Sequence, residues 1–228
     1  MEIPNHLLSY FELVKQRPDL FDNSGGRLKI LLNPVDIVSV EKAVARLLME
    51  RGLSRSGGTA GCVLDDPWFF VLRDAIEFPD GSRRLHARVV NKNNHGSAVL
   101  PLLNGQVVLV RHFRHATRQW MLEIPRGAIE SGQTPEGTAH REIKEEIGGE
   151  IKELLPLGFV HGATNLYNGG AHLFCARLSA IGSPQLGEGI TAIEQLTAQE
   201  FENLIRNGEV LDAVTVAVFT HARLRGLI

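Results

Sequence analysis

Three glutamates lie close together in the sequence, at Glu142, Glu145 and Glu146. On a helix, residues three and four positions apart share one face, so these carboxylates would converge within about 6 Å. Three like charges at that spacing repel one another unless a cation lies among them. Hard cations such as Mg²⁺ bind carboxylate oxygens, usually together with substrate phosphates. The spacing therefore favours a metal site; the alternative is a solvated acidic helix face.

The flanking residues predict the helix that must position these glutamates. Thr134 can cap its start, Pro135 fits its first turn, and Gly148 ends it. A strand over about 120–124, stopped by Pro125, and a glycine-containing loop lead into the helix. These local signals therefore predict a helix that carries the three glutamates.

The N-terminal part of the chain is expected to be helical. One helix should stop before Pro18. A second should begin near Asn33-Pro34 or Asp36, with either Asn or Asp as the cap, and end at Gly52. The glycine- and serine-rich stretch 54–61 is typical of a linker. We therefore predict a helical extension over 1–60 and a main domain over 61–228.

The main domain should combine strands with helices. Turn residues at 79–81 and 104–105 predict two hairpins, and two further strands are expected at about 151–161 and 171–179. A capping box at Thr197 opens a later helix. The last stretch, 211–224, alternates like a strand, but Asp212 as a cap favours a helix. The pattern indicates an α+β fold with a mixed sheet.

Composition restricts the class of protein. The 228 residues are 43% hydrophobic and 22% charged, with a net charge of −2, which argues against broad nucleic-acid binding. No apolar run approaches the roughly 18 residues that span a bilayer. Cys62 and Cys175 have no metal-ligand spacing, and we interpret them as free thiols in a reducing compartment. We expect a cytoplasmic protein without a membrane or nucleic-acid partner.

The stretch 127–149 resembles the Nudix box, whose pattern is G-x5-E-x7-R-E-U-x-E-E-x-G-U, where U is an aliphatic residue. Seven positions of that pattern are matched, namely Gly127, Arg141, Glu142, Ile143, Glu145, Glu146 and Gly148. An R-x-F-R element at 111–114 and an E-x-P-x-G element at 123–127 resemble the branch that includes ADP-ribose and nucleoside-diphosphate-sugar pyrophosphatases. The resemblance covers about 67–228 and implies the Nudix fold, an α/β/α sandwich around a mixed sheet.

The resemblance also implies an activity and a metal site. The expected reaction is Mg²⁺-dependent hydrolysis of a diphosphate linkage in a nucleoside diphosphate derivative. The default substrate is ADP-ribose or another nucleoside diphosphate sugar, and Mn²⁺ is an alternative metal. The three helix glutamates and the main-chain carbonyl of Arg126 would bind the metal, and Arg141 would orient the glutamates. We assign the general base to Glu145, with His161 as the second candidate. The alternative for His161, which we favour, is a hydrogen-bonded histidine at the end of a strand.

Four residues before the box are candidates for substrate binding: Arg111, Arg114, Trp120 and Glu123. Guanidinium groups match phosphate oxygens, but each arginine could equally form a surface ion pair. Strand alternation sends the two arginines to opposite faces of the strand. Trp120 could stack on a base or belong to the core, and Tyr167 could close over the ligand or simply be exposed. The resemblance further implies a homodimer.

Three positions depart from the family pattern. Gln133 replaces a glutamate, Gly149 replaces an aliphatic residue, and the loop 162–170 contains neither the proline nor the carboxylate expected there. These departures leave the general base and the exact substrate open. They also leave open an alternative function, a ligand-sensing or partner-binding protein with the Nudix fold and little hydrolase activity. Retention of all three helix glutamates favours the enzyme.

Overall fold

In the computed structural model, which describes residues 3–92, 95–183 and 189–228, the chain divides into two units. The first contains Met1–Lys92 and Thr164–Asn168, and the second contains Asn93–Ala163 and Gly169–Ile228. Residues 61–92 fold with the N-terminal segment because their strands form the sheet on which its helices pack. The boundary near residue 60 stays a prediction.

The first unit is a four-stranded antiparallel sheet with two α-helices. Its central strand, β3, pairs with each of the other three. The strands are β1 (Lys29–Ile30), β2 (Gly61–Asp65), β3 (Phe69–Glu77) and β4 (Arg83–Asn91), and the helices are α1 (Leu8–Gln16) and α2 (Pro34–Glu50). The predicted start of α2 is confirmed, since the Asn33 side chain accepts a hydrogen bond from the amide of Val35. Short 3-10 helices cover Asn5–Leu7, Pro18–Phe21 and Arg55–Gly58.

The second unit is built on a seven-stranded mixed sheet. Its strands are β5 (Gly96–Leu103), β6 (Gln106–Arg114), β7 (Gln119–Glu123), β8 (Arg126–Ala128), β9 (Glu150–His161), β10 (Gly170–Ala180) and β11 (Ile190–Leu196). Its helices are α3 (Pro135–Ile147), α4 (Ala198–Arg206) and α5 (Ala213–Leu224). The main order is β11-β6-β5-β10-β9, with β7 paired to β6 and β8 paired to β5. Only the β5–β10 pair is parallel among these described strands, which confirms the predicted mixed sheet.

Helices cover both faces of this sheet. Neighbouring residues of a strand point to opposite faces, so Val99 and Leu100 of β5 enter two different cores. Val99 packs in the core that contains Ile143 of α3, and Leu100 packs in the core that contains Phe201 of α4 and Phe219 of α5. This arrangement is the predicted α/β/α sandwich.

Local turn and capping chemistry explains how these elements begin and end. Asn104 and Gly105 have φ values of 50° and 80°, as a two-residue hairpin turn between β5 and β6 requires. The capping box at Thr197 and the cap at Asp212 are both present, and the latter confirms the helix expected over the ambiguous last stretch. Within the described ranges, no helix is long and apolar enough to cross a bilayer.

Candidate active site

Helix α3 carries the three glutamates at different depths. Its buried stripe includes Ile143 and Ile147, which pack against the sheet. Glu142 and Glu146 flank this stripe and are 3% and 2% exposed, whereas the Glu145 side chain is 32% exposed. Two of the carboxylates are therefore fixed within the protein, and the third reaches solvent.

A glycine in the preceding strand makes room for Glu142. A β-carbon built on Gly127 would lie 1.9 Å from Oε1 and 2.3 Å from Cδ of Glu142. Real β-carbons do not approach other atoms so closely, so a residue with a side chain at this position would have to displace the carboxylate. The glycine is required by this close approach of a carboxylate to the main chain.

Arg141 neutralises part of the acidic face. Its guanidinium lies 2.7 Å from Oε1 of Glu142 and donates to Oε2 of Glu145 at 2.8 Å. It also donates to the carbonyl of Ala128 at 2.9 Å, and more weakly to Oε1 of Gln133 at 3.4 Å. Burial opposes the charge on Arg141, but Glu142 and Glu145 together raise its pKa above the ordinary value. Arg141 thus holds two of the three carboxylates in place, as an orienting residue would.

The acidic face suits a divalent cation by its chemistry. Three carboxylates, two of them buried, lie beside a stretch of main chain without a side chain at Gly127, and hard cations bind oxygen ligands of this kind. In the arrangement observed, no three His, Cys, Asp or Glu side chains of the described residues form a metal-binding group. Arg141 contacts both Glu142 and Glu145 in this arrangement.

A buried network of ion pairs holds the main chain that precedes Gly127. Glu123 is fully buried and accepts from Nε of Arg114 at 2.8 Å and from the guanidinium of Arg126 at 3.3 Å. Arg126 also donates to both carboxylate oxygens of Asp212, at 2.8 and 3.0 Å, and Asp212 caps α5 through Thr215. Two guanidinium groups and two carboxylates thereby fix the turn between β7 and β8.

The same network determines how Arg126 meets helix α3. The Arg126 side chain is directed to Glu123 and Asp212, while its main-chain amide lies 3.5 Å from Oε1 of Glu146. The main-chain amide of Arg126 thus lies beside the acidic face, while its side chain pairs with Glu123 and Asp212.

The residues expected to bind substrate separate into three places. Arg111 donates to Glu194 at 2.7 Å, and Arg114 belongs to the network around Glu123. Trp120 is half exposed and packs edge-on against Phe113, with ring centroids 5.3 Å apart. The two arginines make separate ion pairs, in line with the alternation along β6.

Comparison with known proteins identifies the family. The sequence model of the NUDIX domain family matches residues 93–214 of this chain. The chain belongs to the NUDIX family. The membership predicted from the stretch 127–149 is thereby confirmed, and α3 with its preceding loop is the NUDIX box.

Individual relatives resemble this NUDIX chain over most of their length. An ADP-ribose pyrophosphatase of Bacillus subtilis is 27% identical over 182 residues, which is 78% of this chain and 95% of that protein. A GDP-mannose pyrophosphatase of Cronobacter sakazakii is 29% identical over 181 residues, 70% of this chain and 91% of that protein. A crystal structure of an ADP compounds hydrolase has a TM-score of 0.63 at 20% identity, over 74% of this chain and 93% of that chain, which shows the shared fold.

Part of the loop 162–170 belongs to the first unit, whereas the NUDIX box belongs to the second. His161, at the end of β9, is exposed, and its Nδ1 lies 3.3 Å from the carbonyl of Gly169. Residues 164–168 fold with the first unit, where Leu166 accepts from the amide of Val89 at 2.7 Å and Tyr167 accepts from Asn91 at 2.9 Å. Tyr167 is thus fixed against β4 of that unit.

Sequence reasoning missed several residues of this NUDIX site. Asp212 was identified only as a helix cap, and its ion pair with Arg126 joins residues 86 positions apart. Glu194, the partner of Arg111, lies on β11, a strand for which the sequence analysis gave no prediction. An arginine in a strand signals that some acceptor is needed, but only the folded sheet shows which carboxylate supplies it.

Proposed function

We propose that the protein hydrolyses the diphosphate linkage of a nucleoside diphosphate sugar, with Mg²⁺ as its metal and ADP-ribose as the first substrate to test. The observation that carries this proposal is the acidic face of α3, where Gly127 makes room for Glu142 and Arg141 orients Glu142 and Glu145. The names of the relatives support the substrate class, since they are pyrophosphatases of ADP-ribose and of GDP-mannose.

The metal would be held by Glu142, Glu145 and Glu146, together with the main-chain carbonyl of Arg126. Nudix pyrophosphatases in general depend on divalent metal ions. A bound Mg²⁺ supplies charge neutralisation for the two phosphates and activation of the attacking water. Mn²⁺ prefers similar oxygen ligands and is the alternative metal.

The general base in this proposal is Glu145. Glu142 and Glu146 are almost completely buried, whereas about a third of the Glu145 side chain is exposed. A base must reach the proton of a water molecule within hydrogen-bond distance, so the exposed carboxylate suits this role best. His161 remains the second candidate, because the contact of its Nδ1 with the carbonyl of Gly169 would leave Nε2 as a proton acceptor.

We propose that four residues bind the substrate: Arg111, Arg114, Trp120 and Glu123. Arg111 and Trp120 have partly exposed side chains that can reach a ligand. Arg114 would bind a phosphate oxygen while Glu123 holds its guanidinium in position.

We further propose a cytoplasmic homodimer, and the two free cysteines suit a reducing compartment. Light scattering at micromolar concentration tests the dimer.

A substrate panel tests the function. Purified protein is incubated with ADP-ribose, other nucleoside diphosphate sugars and dinucleotides, with Mg²⁺ or with excess chelator, and phosphate is measured after coupling to a phosphatase. The expected result is metal-dependent release with at least one nucleoside diphosphate sugar. Tight binding of these ligands by intact protein without any release would overturn the proposal.

That second outcome would support the alternative function, a ligand-sensing or partner-binding protein. One observation favours this alternative, namely that the loop 162–170 contains no carboxylate where the family pattern has one. Retention of all three carboxylates favours the enzyme, since a binding protein needs no cluster of mutually repelling charges.

A further inference from the structure

Three histidines surround one phenylalanine in the second unit. The ring centroid of Phe159 lies 4.8 Å from that of His95, 5.0 Å from that of His161 and 5.1 Å from that of His172. His95 is in turn 6.2 Å from His161 and 6.4 Å from His172. We call these four residues the histidine patch.

Strand pairing places the histidine patch on the same sheet face as the NUDIX box helix. Gly127 pairs with Ser97, Ser97 with His172, and His172 with Phe159, so these positions form one row across four strands. Residues paired in this way point to the same face. The Ser97 hydroxyl donates to the carbonyl of Pro135 at 2.8 Å, which shows that this is the face covered by α3.

The same row of paired residues gives the distance between the histidine patch and the acidic face of α3. Adjacent strands lie about 4.8 Å apart, so His172 is roughly 10 Å from Gly127, and Phe159 is one strand further. Glu142 lies directly against Gly127. The histidine patch is therefore too far from Glu142 to share one metal with it, and is placed to meet a part of the substrate beyond the phosphates.

The absence of a side chain at Gly170 makes room for the ring of Phe159. A β-carbon at Gly170 would lie 2.4 Å from Cζ of Phe159 and 2.4 Å from the carbonyl oxygen of Val160. Because that carbon is missing, the Phe159 ring can lie over the backbone of β10 between the histidines. The result is a phenyl ring surrounded by three imidazole rings.

The chemistry of the patch suits hydroxyl groups better than phosphates. Burial, together with His172 and His161, lowers the pKa of His95, so that imidazole is neutral at neutral pH. A neutral imidazole offers one donor and one acceptor, which is also what a hydroxyl group needs. The buried Nδ1 of His95 makes no hydrogen bond with any described residue. None of the four side chains carries a permanent positive charge of the kind that phosphate recognition uses.

A transition metal is the other ligand that three imidazoles suggest. The part of the chain that the structure describes contains no group of three His, Cys, Asp or Glu side chains arranged to bind one. The ring of Phe159, which contacts all three histidines, separates them.

We propose that the histidine patch binds the sugar that lies across the cleaved diphosphate from the nucleoside. The imidazoles would exchange hydrogen bonds with the sugar hydroxyls, and the Phe159 ring would cover a C–H face of the sugar. This inference rests on the proposed function and adds to it a subsite for the sugar.

Product inhibition tests the subsite. Hydrolysis of ADP-ribose yields AMP and ribose 5-phosphate, which are separate probes of the two halves of the site. His95→Phe and His172→Phe remove the polar atoms and keep a ring of similar size. Each is expected to raise the inhibition constant of ribose 5-phosphate and the KM for ADP-ribose roughly 5- to 30-fold, as loss of one or two hydrogen bonds implies, with kcat and the AMP inhibition constant changed much less.

Two further variants separate a binding role from a structural one. His172→Asn keeps a donor and an acceptor and should restore part of the lost affinity. His115→Phe makes the same substitution at an exposed histidine in the turn between β6 and β7, and should leave every constant unchanged. Unchanged inhibition by ribose 5-phosphate in both patch variants, or weakened inhibition by AMP instead, would overturn the subsite.

Failure of the subsite and failure of the proposed function are distinguishable. If the unmodified protein hydrolyses nucleoside diphosphate sugars and both patch variants bind ribose 5-phosphate normally, only the subsite is wrong. If the unmodified protein hydrolyses none of them, the proposed function is wrong, and calorimetry with ribose 5-phosphate still tests the patch. Weaker binding by both variants than by the unmodified protein then supports the subsite, and equal or undetectable binding overturns it.

Discussion

Gly127 and Glu142 occupy complementary space, since a β-carbon on Gly127 would lie 1.9 Å from Oε1 of Glu142. The strand β8 and the helix α3 can therefore pack in this way only while the strand contributes no side chain at that point. The network around Glu123 and Arg126 holds that strand from the other side. The position of one proposed metal ligand thus depends on residues that do not touch the metal.

Gly127→Ala is expected to lower turnover of the substrate by about 100-fold or more, because a misplacement of about 1 Å in a catalytic group can cost that much. The variant should remain folded. Gly25→Ala is the control, since a β-carbon there meets nothing within 4 Å. Steady-state kinetics at saturating Mg²⁺ measures the effect, and equal rates for the two variants would contradict it.

Glu145→Gln and Glu146→Gln are each expected to lower kcat by orders of magnitude, since each removes a charged oxygen from the proposed metal site. Glu136→Gln, an exposed carboxylate at the start of the same helix, serves as the control. Rates are measured over a range of Mg²⁺ concentrations. If both of the first two variants keep the unmodified rate, the acidic face does not bind the metal.

Glu123→Ala should destabilise the fold by about 3–5 kcal/mol, because it leaves Arg114 and Arg126 partly buried without the carboxylate between them. The ion pair of Glu153 with Arg177 is about half exposed on both sides, so Glu153→Ala should cost about 1 kcal/mol or less. Urea unfolding of both variants gives the comparison. A similar small loss in both would mean that the buried network contributes little.

The unfolding temperature should fall as the pH is lowered from 7 to 5, in part through His95. Its pKa in the folded protein is lowered by burial and by His172 and His161, so folding favours the neutral ring. The resulting stability is complete above the ordinary pKa near 6.5 and is lost as the pH falls through the folded pKa. His95→Gln should show a smaller decline in thermal melts. An identical decline in both proteins would exclude His95 as a cause.

The two cysteines should differ in reactivity. Cys175 is 1% exposed, and burial raises the pKa of its thiol to about 11, whereas Cys62 is only partly buried. Since the thiolate is the reactive form, an alkylating reagent at pH 8 should modify Cys62 first. Mass spectrometry should find one modified cysteine in the native protein and two after denaturation. Equal labelling of both thiols in the folded protein would be inconsistent with this burial.

Sequence reasoning succeeded where the signal is local. The capping residue Thr134, Pro135 in the first turn and the glycine at Gly148 fixed helix α3, and all three act as predicted. Asp212 likewise decided between a helix and a strand for the last stretch, because a cap acts on the residues that immediately follow it. Motif spacing alone was sufficient to predict the family.

Contacts between distant segments could not be predicted from the sequence. The histidine patch combines residues from β9 and β10 with the residue before β5, and only the register of the strands brings them together. The strand β2 was missed because the glycines before it favoured a linker, yet β2 pairs with β3 over Gly61–Asp65. Arg111 and Arg114 were expected on opposite faces, but their partners Glu194 and Glu123 became apparent only in the folded sheet.

The five residues 164–168 restrict how this protein can be shortened. They lie within the 93–214 range of the NUDIX domain, yet they fold against β4, with main-chain hydrogen bonds between Val89 and both Leu166 and Asn168. A chain that begins at residue 93 would retain the whole NUDIX domain and lose the strand to which this loop is attached. The two units are therefore not modules that a single cut in the chain can separate.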